Sequence, residues 1–304
     1  MISALASADL VTWMSICVKA LSYVTTLLAA GSVLVGLGIR AFGPDDRRWL
    51  GWLAFAAAIA AAVVSVAQVP VRASFLMGGT LDGALDPMML SVVAESPLGT
   101  SVAVRLAGLA LIPAVLLPGR WGPRVAVAGC VVVCASFALR GHALGQPRLL
   151  LGVLVTAHLL ALAFWIGAFA PLLRAASRAP ADTAGRAGQE FGQKAVWAVG
   201  MLVAAGAATL LLLGVNDLAA FSTPYGQAVA VKLLLVVGVL ALGATNKLLL
   251  TPALLQARPS ASNNLRRSIQ AEAVLIAAIL VATAAFTTVS APPRDEAGRT
   301  SETK

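Results

Sequence analysis

Eight stretches of this chain are each long and apolar enough to cross the hydrocarbon core of a bilayer as an α-helix, which takes about 20 residues. They fall at 11–39, 49–69, 99–117, 123–140, 149–173, 195–216, 226–250 and 269–290. Composition bears on the choice of solvent. Of 304 residues, 59% are hydrophobic and 12% charged, whereas soluble domains carry about a quarter charged residues. A soluble core cannot hide that much apolar surface, because burial saturates as domains grow. The chain is therefore expected to be all-α, a polytopic membrane bundle over 1–292 with a polar tail at 293–304 whose composition predicts disorder.

The third and fourth stretches are short and separated only by Leu117–Arg124, which predicts a tight hairpin. Two connections are sizeable, 70–98 and 174–194. No Lys or Arg precedes Lys19, so the first stretch is read as a retained helix and not as a signal peptide.

The net charge of +9 would point to nucleic acid in a soluble chain, but here position matters more than the sum. With the N-terminus outside, 13 Lys and Arg residues lie in inner loops and 6 in outer ones. That bias places both termini on the outer face of the membrane. Trp13, Trp49, Trp52, Trp121 and Trp197 fall near helix ends, as an interfacial aromatic belt requires.

Residues 96–106 (SPLGTSVAVRL) echo residues 223–233 (TPYGQAVAVKL). Both open with Ser or Thr as N-cap and Pro at the first helical position. The echo suggests a duplicated, parallel four-helix unit; chance similarity in Ala/Val-rich sequence is the alternative.

Ionisable groups at membrane depth are costly and are functional candidates by default. Lys19, Arg105 and Lys232 sit in the outer halves of their helices and stand as cavity or gating charges, with Asp82, Asp86, Glu95 and Asp217 as expected partners. Snorkelling to the headgroups is the plainer reading. Glu272 joins this set near the inner end of the last helix, where pairing with Arg266 or Arg267 would make it structural.

The chain has two histidines: His142 at the outer mouth of the fourth helix and His158 inside the fifth. A short loop separates them, so both could face one outward cavity as metal ligands; an intramembrane His can equally serve as an interhelical hydrogen bonder. Cys130 and Cys134, four apart, share one helix face. Imidazole and thiolate together favour Cu(I) over hard cations, although buried Cys also behaves as a small hydrophobe. With Cys17 the cysteines number three, all in apolar runs, which is no disulfide framework. No phosphate loop, HExxH or EF-hand pattern appears, and no Ser–His–acid set shares one depth, so no enzyme is expected.

Ordered short motifs run through Gly141-His142-Ala143, then His158, Trp165 and Gly167, then Tyr225-Gly226 and Lys232-Leu233. They continue through Gly243-Ala244, Asn246 and Pro252 to Leu265-Arg266-Arg267-Ser268 and Glu272. In these the chain resembles the copper resistance protein D family of bacterial inner-membrane proteins, best over 140–290 and more loosely before, where Arg105 fits the third helix. The resemblance implies movement of copper from periplasm to cytoplasm, alongside a periplasmic copper-binding partner of the CopC type. The chain departs from an obvious metal transporter in having no Met-rich tract and no cytoplasmic CxxC. A membrane redox protein with haem on the two histidines, and a docking factor for a periplasmic copper protein, are the alternatives.

Overall fold

The structure, a computed structural model, describes residues 8–140, 147–212 and 224–289. Every regular element among them is helical, since a helix satisfies its own backbone N–H and C=O groups where no water can. Eight of these helical segments are long and apolar enough to cross a membrane. Helix α1 spans Leu10–Gly38 and α2 Pro44–Leu76. Two short helices, α3 (Leu81–Leu85) and α4 (Pro87–Glu95), lead into α5 (Pro97–Leu111), which tightens into a 3₁₀ turn at Ile112–Leu116. Helix α6 (Trp121–Ala135) likewise closes in a 3₁₀ turn, Ser136–Leu139. Helix α7 is Arg148–Arg178 and α8 is Ala181–Leu212. Helix α9 (Pro224–Thr245) passes through a π-helical turn, Asn246–Leu250, into α10 (Thr251–Leu255), and α11 is Ala261–Val289.

The starts follow local chemistry. Asp9 caps α1 by accepting from the Thr12 N–H at 2.8 Å, and Asp86 caps α4 through the Met89 N–H at 2.8 Å. Ser96 caps α5 by accepting from the Leu98 N–H at 3.2 Å, with Pro97 at the first helical position.

Three expectations need correction. The second crossing is not confined to 49–69, because α2 begins at Pro44 and continues past Pro70 to Leu76. The connection expected at 174–194 shrinks to Ala179–Pro180, because α7 runs on to Arg178 and α8 begins at Ala181. Hydropathy marks where lipid ends and not where a helix ends. Beyond the lipid, α8 is supported by (i, i+4) pairs, Arg186 to Asp182 at 3.0 Å and Lys194 to Glu190 at 2.6 Å. Similarly, α11 starts at Ala261 and not near 269.

Helix α1 is the axis of the bundle and packs against α2, α6, α7 and α11. Its backbone touches that of α7 at two glycines. A Cβ on Gly31 would lie 2.0 Å from the Ala163 carbonyl oxygen, and one on Gly167 2.2 Å from the Gly31 carbonyl carbon. Small residues thus let the two backbones touch, the usual means of helix association in lipid. Helices α8 and α9 lie at the periphery, where Trp197 is 84% and Leu234 73% exposed toward lipid.

The end of the bundle where α1 begins is termed here the terminal end, and the opposite end the basic end. At the basic end, Glu190 accepts from the N–H groups of Arg40 (2.9 Å) and Ala41 (2.8 Å), while Lys194 donates to the Gly38 carbonyl. These bonds clamp the α1–α2 turn to α8.

Candidate functional site

Polar side chains at membrane depth gather in two places. The first lies in the terminal half, among α1, α5 and α6. Arg105 on α5 is 0% exposed. Its Nε donates to Ser136 Oγ, one Nη to Ser22 Oγ and the other to Ser101 Oγ, each at 3.1 Å. Its guanidinium also sits 3.9 Å from the centre of the Phe137 ring. Lys19 on α1 donates to the Thr287 carbonyl and hydroxyl, both at 3.1 Å, and to the Thr288 hydroxyl at 3.0 Å on α11.

Hydroxyls therefore take the place of the expected acids Asp82, Asp86 and Glu95, while Asp217 lies outside the described residues. Arg105 does not snorkel. The physical reason is local: Ser101 lies one turn from Arg105 on α5, and the 3₁₀ turn after α6 brings Ser136 and Phe137 against the guanidinium, so three donors are satisfied without an anion. Arg140 stands nearby, donating to Gln68 Oε1 on α2 at 3.1 Å. Lys19 feels the charges of Arg140 and Arg72, and Arg105 feels that of Arg140. The ion pairs among the described residues lie at the basic end: Arg174–Asp46, Arg186–Asp182 and Lys194–Glu190. The terminal half of α1, α2, α5 and α6 is thus cationic.

Cys130 and Cys134 are both 0% exposed in this region. The Cys130 thiol approaches the Ala30 carbonyl of α1 at 3.5 Å as a weak donor, and Cys134 lies within the field of Arg105.

The second polar group lies along one face of α7. His158 Nδ1 is 3.1 Å from the Leu202 carbonyl of α8. A carbonyl only accepts, so this contact places the proton on Nδ1 and leaves the Nε2 lone pair free. The ring edge also lies beside Gly206 of α8. Lys232 of α9 is close enough to act on His158 electrostatically.

Trp165, seven residues and two turns further along α7, donates from Nε1 to Glu272 Oε2 of α11 at 3.1 Å. Asn246, the first residue of the π-helical turn, donates from Nδ2 to Glu272 Oε1. Gly243 faces the Trp165 ring, which a Cβ there would meet at 3.0 Å.

Glu272, 3% exposed, is accordingly not paired with Arg266 or Arg267. Because α11 begins at Ala261, Glu272 is three turns inside it, while both arginines lie on its exposed side. Four residues that carry the family resemblance, Trp165, Gly243, Asn246 and Glu272, thus converge at one point. Their spacing in sequence held no sign of this, since they come from three helices. Ser22, Ser101, Ser136 and Phe137, the partners of Arg105, were too ordinary to single out.

His142 lies outside the described residues, as do 293–304 and Thr223 of the sequence echo. Among the described residues, no group of three or more His, Cys, Asp or Glu side chains comes together to hold a metal ion.

Comparison with known proteins divides the chain in two. Residues 8–153 match the family model described as copper resistance protein D-like, N-terminal domain, and residues 185–286 match the model described as copper resistance protein D. The copper transport protein CutJ of Bacillus subtilis (strain 168) is 28% identical over 243 residues, covering 74% of this chain and 43% of that relative. The chain therefore spans less than half the length of the curated relative it matches. No solved structure matches.

Proposed function

The chain belongs to the copper resistance protein D family, and on that premise we propose that it conducts copper through the inner membrane, from the periplasm at the terminal end toward the cytoplasm at the basic end. The observation that carries this reading is the setting of His158. Metal-binding histidines typically donate their second ring N–H to a carbonyl, which fixes the tautomer and aims the free nitrogen. The Leu202 carbonyl does this for His158.

In this reading His142 captures the ion at the mouth and His158 receives it. Neutral imidazoles suit copper. Lys232 beside His158 weakens retention of a cation there, and conduction needs sites that release as well as bind. The path follows α7, because Lys19, Arg72, Arg105 and Arg140 oppose a cation moving between α1, α2 and α5. Cys130 and Cys134 lie on that cationic side and serve the packing of α6 on α1. A periplasmic copper-binding partner of the CopC type delivers the ion to the terminal end.

The test is copper accumulation in cells expressing His142→Ala or His158→Ala at the parent's protein level. Each variant is expected to lose most of the parent's accumulation. Parent-like accumulation in both would remove the imidazoles from the path.

A further inference from the structure

A carboxylate buried among membrane helices normally has a cationic partner, because leaving it alone in a low dielectric is costly. Glu272 has none. The groups acting on it are the neutral donors Trp165 and Asn246. Among the charged residues of the elements packed around it, Arg266 and Arg267 lie on the exposed side of its own helix, and Lys247 lays its stem against Gly192 of α8. His158 and Lys232 sit toward the terminal end; by α-helical rise, His158 is about 10 Å from Trp165 along α7.

Two further oxygens bear on this carboxylate. Asn246 Oδ1 and Ser268 Oγ are buried and have no hydrogen-bond partner among the described residues. Asn246 is bound to Glu272 through its other amide atom, and Ser268 precedes Glu272 by one helical turn on the same face of α11. A carboxylate and an amide thus meet where α9 breaks into its π-helical turn, a distortion frequent at functional sites, and the Ser268 hydroxyl lies one turn from Glu272 on the same face of α11.

We propose that Glu272, Asn246 and Ser268 form a binding site for a hard monovalent cation, a proton or a sodium ion, separate from the imidazole copper station at His158. All three donors are oxygens, which suit hard cations and retain Cu(I) poorly. Asn246 is built for two states. Its Nδ2 donates to the carboxylate when Glu272 is charged, and after an amide flip its Oδ1 accepts from the carboxylic acid, or it ligates sodium beside the carboxylate. The site stands without copper. Only its coupling to copper movement, through the shared face of α7, rests on the function proposed above.

Infrared difference spectra of the purified chain in lipid test this in the absence of copper. In the parent, acidification brings up a carboxyl C=O band if the occupant is a proton, and adding sodium at constant pH shifts the carboxylate stretch if it is sodium. Glu272→Gln is expected to abolish whichever signal appears. Asn246→Ala is expected to move the band without removing it, which a purely packing role for the amide would not do. Spectra that are the same in the parent and in Glu272→Gln overturn the site, whatever the outcome of copper uptake. Failed uptake with an intact Glu272 signal overturns the copper reading alone.

Discussion

A guanidinium taken out of water must recover locally what it loses in hydration. Arg105 does so with three hydroxyl acceptors and the face of Phe137. Arginine's planar fork reaches Ser136, Ser22 and Ser101 at once, whereas a lysine ammonium is a compact point charge and cannot. Charge-assisted hydrogen bonds contribute about 1.5 kcal/mol or more each. Arg105→Lys, which loses at least one of them and the ring contact, is expected to destabilise the protein by about 2 kcal/mol. Chemical denaturation in mixed micelles reads this as a lowered midpoint. An unchanged midpoint would mean the serines contribute nothing. The same residue shows how far sequence reasoning reaches. That Arg105 lies at membrane depth is plain from the run around it. That serines and not acids hold it depends on which turn of α6 faces α5, and this follows from helix crossing and not from residue type.

Among the elements, the contact of α1 with α7 does most to set the register of the bundle. Gly31 and Gly167 allow backbone contact there, so any side chain at either position meets main-chain atoms that cannot rotate away. Gly167→Val is expected to cost about 3 kcal/mol or more and to lower the yield of folded protein, read by size-exclusion chromatography and thermal melting; a melt like the parent's would contradict the close approach. The clamp at the basic end is smaller. Glu190→Ala removes acceptors from the Arg40 and Ala41 N–H groups and is expected to cost about 2 kcal/mol, with faster hydrogen exchange at those amides while the core of α1 stays protected. Helix number was legible because lipid demands about 20 apolar residues per crossing. The long starts of α2, α8 and α11 were not, because a helix that leaves the bilayer keeps its backbone bonds while its side chains turn polar, as at Asp182, Arg186, Glu190 and Lys194.

For the whole molecule, the cations Lys19, Arg105 and Arg140 gather in the terminal half among α1, α5 and α6, whereas His158 and Glu272 lie along the face of α7. His158 was singled out in the sequence from its type and depth, while its contact with the Leu202 carbonyl was not, because that partner comes from α8. Glu272 was read as structural because its partners come from α7 and α9, far away in sequence. The orientation proposed from the basic loops is tested by thiol labelling. In a cysteine-free background with its function verified, a cysteine at Arg47 is expected to react only from the cytoplasm and one at Asp82 only from the periplasm; the reverse pattern would invert the copper path. The central claim concerns the imidazole on that path, and copper entry into liposomes containing only the purified chain tests it most directly. The account predicts entry of Cu(I) into vesicles holding the parent protein and a drop of about tenfold or more for His158→Ala, the scale on which groups that orient or bind a metal act. Equal entry for the two proteins would contradict it.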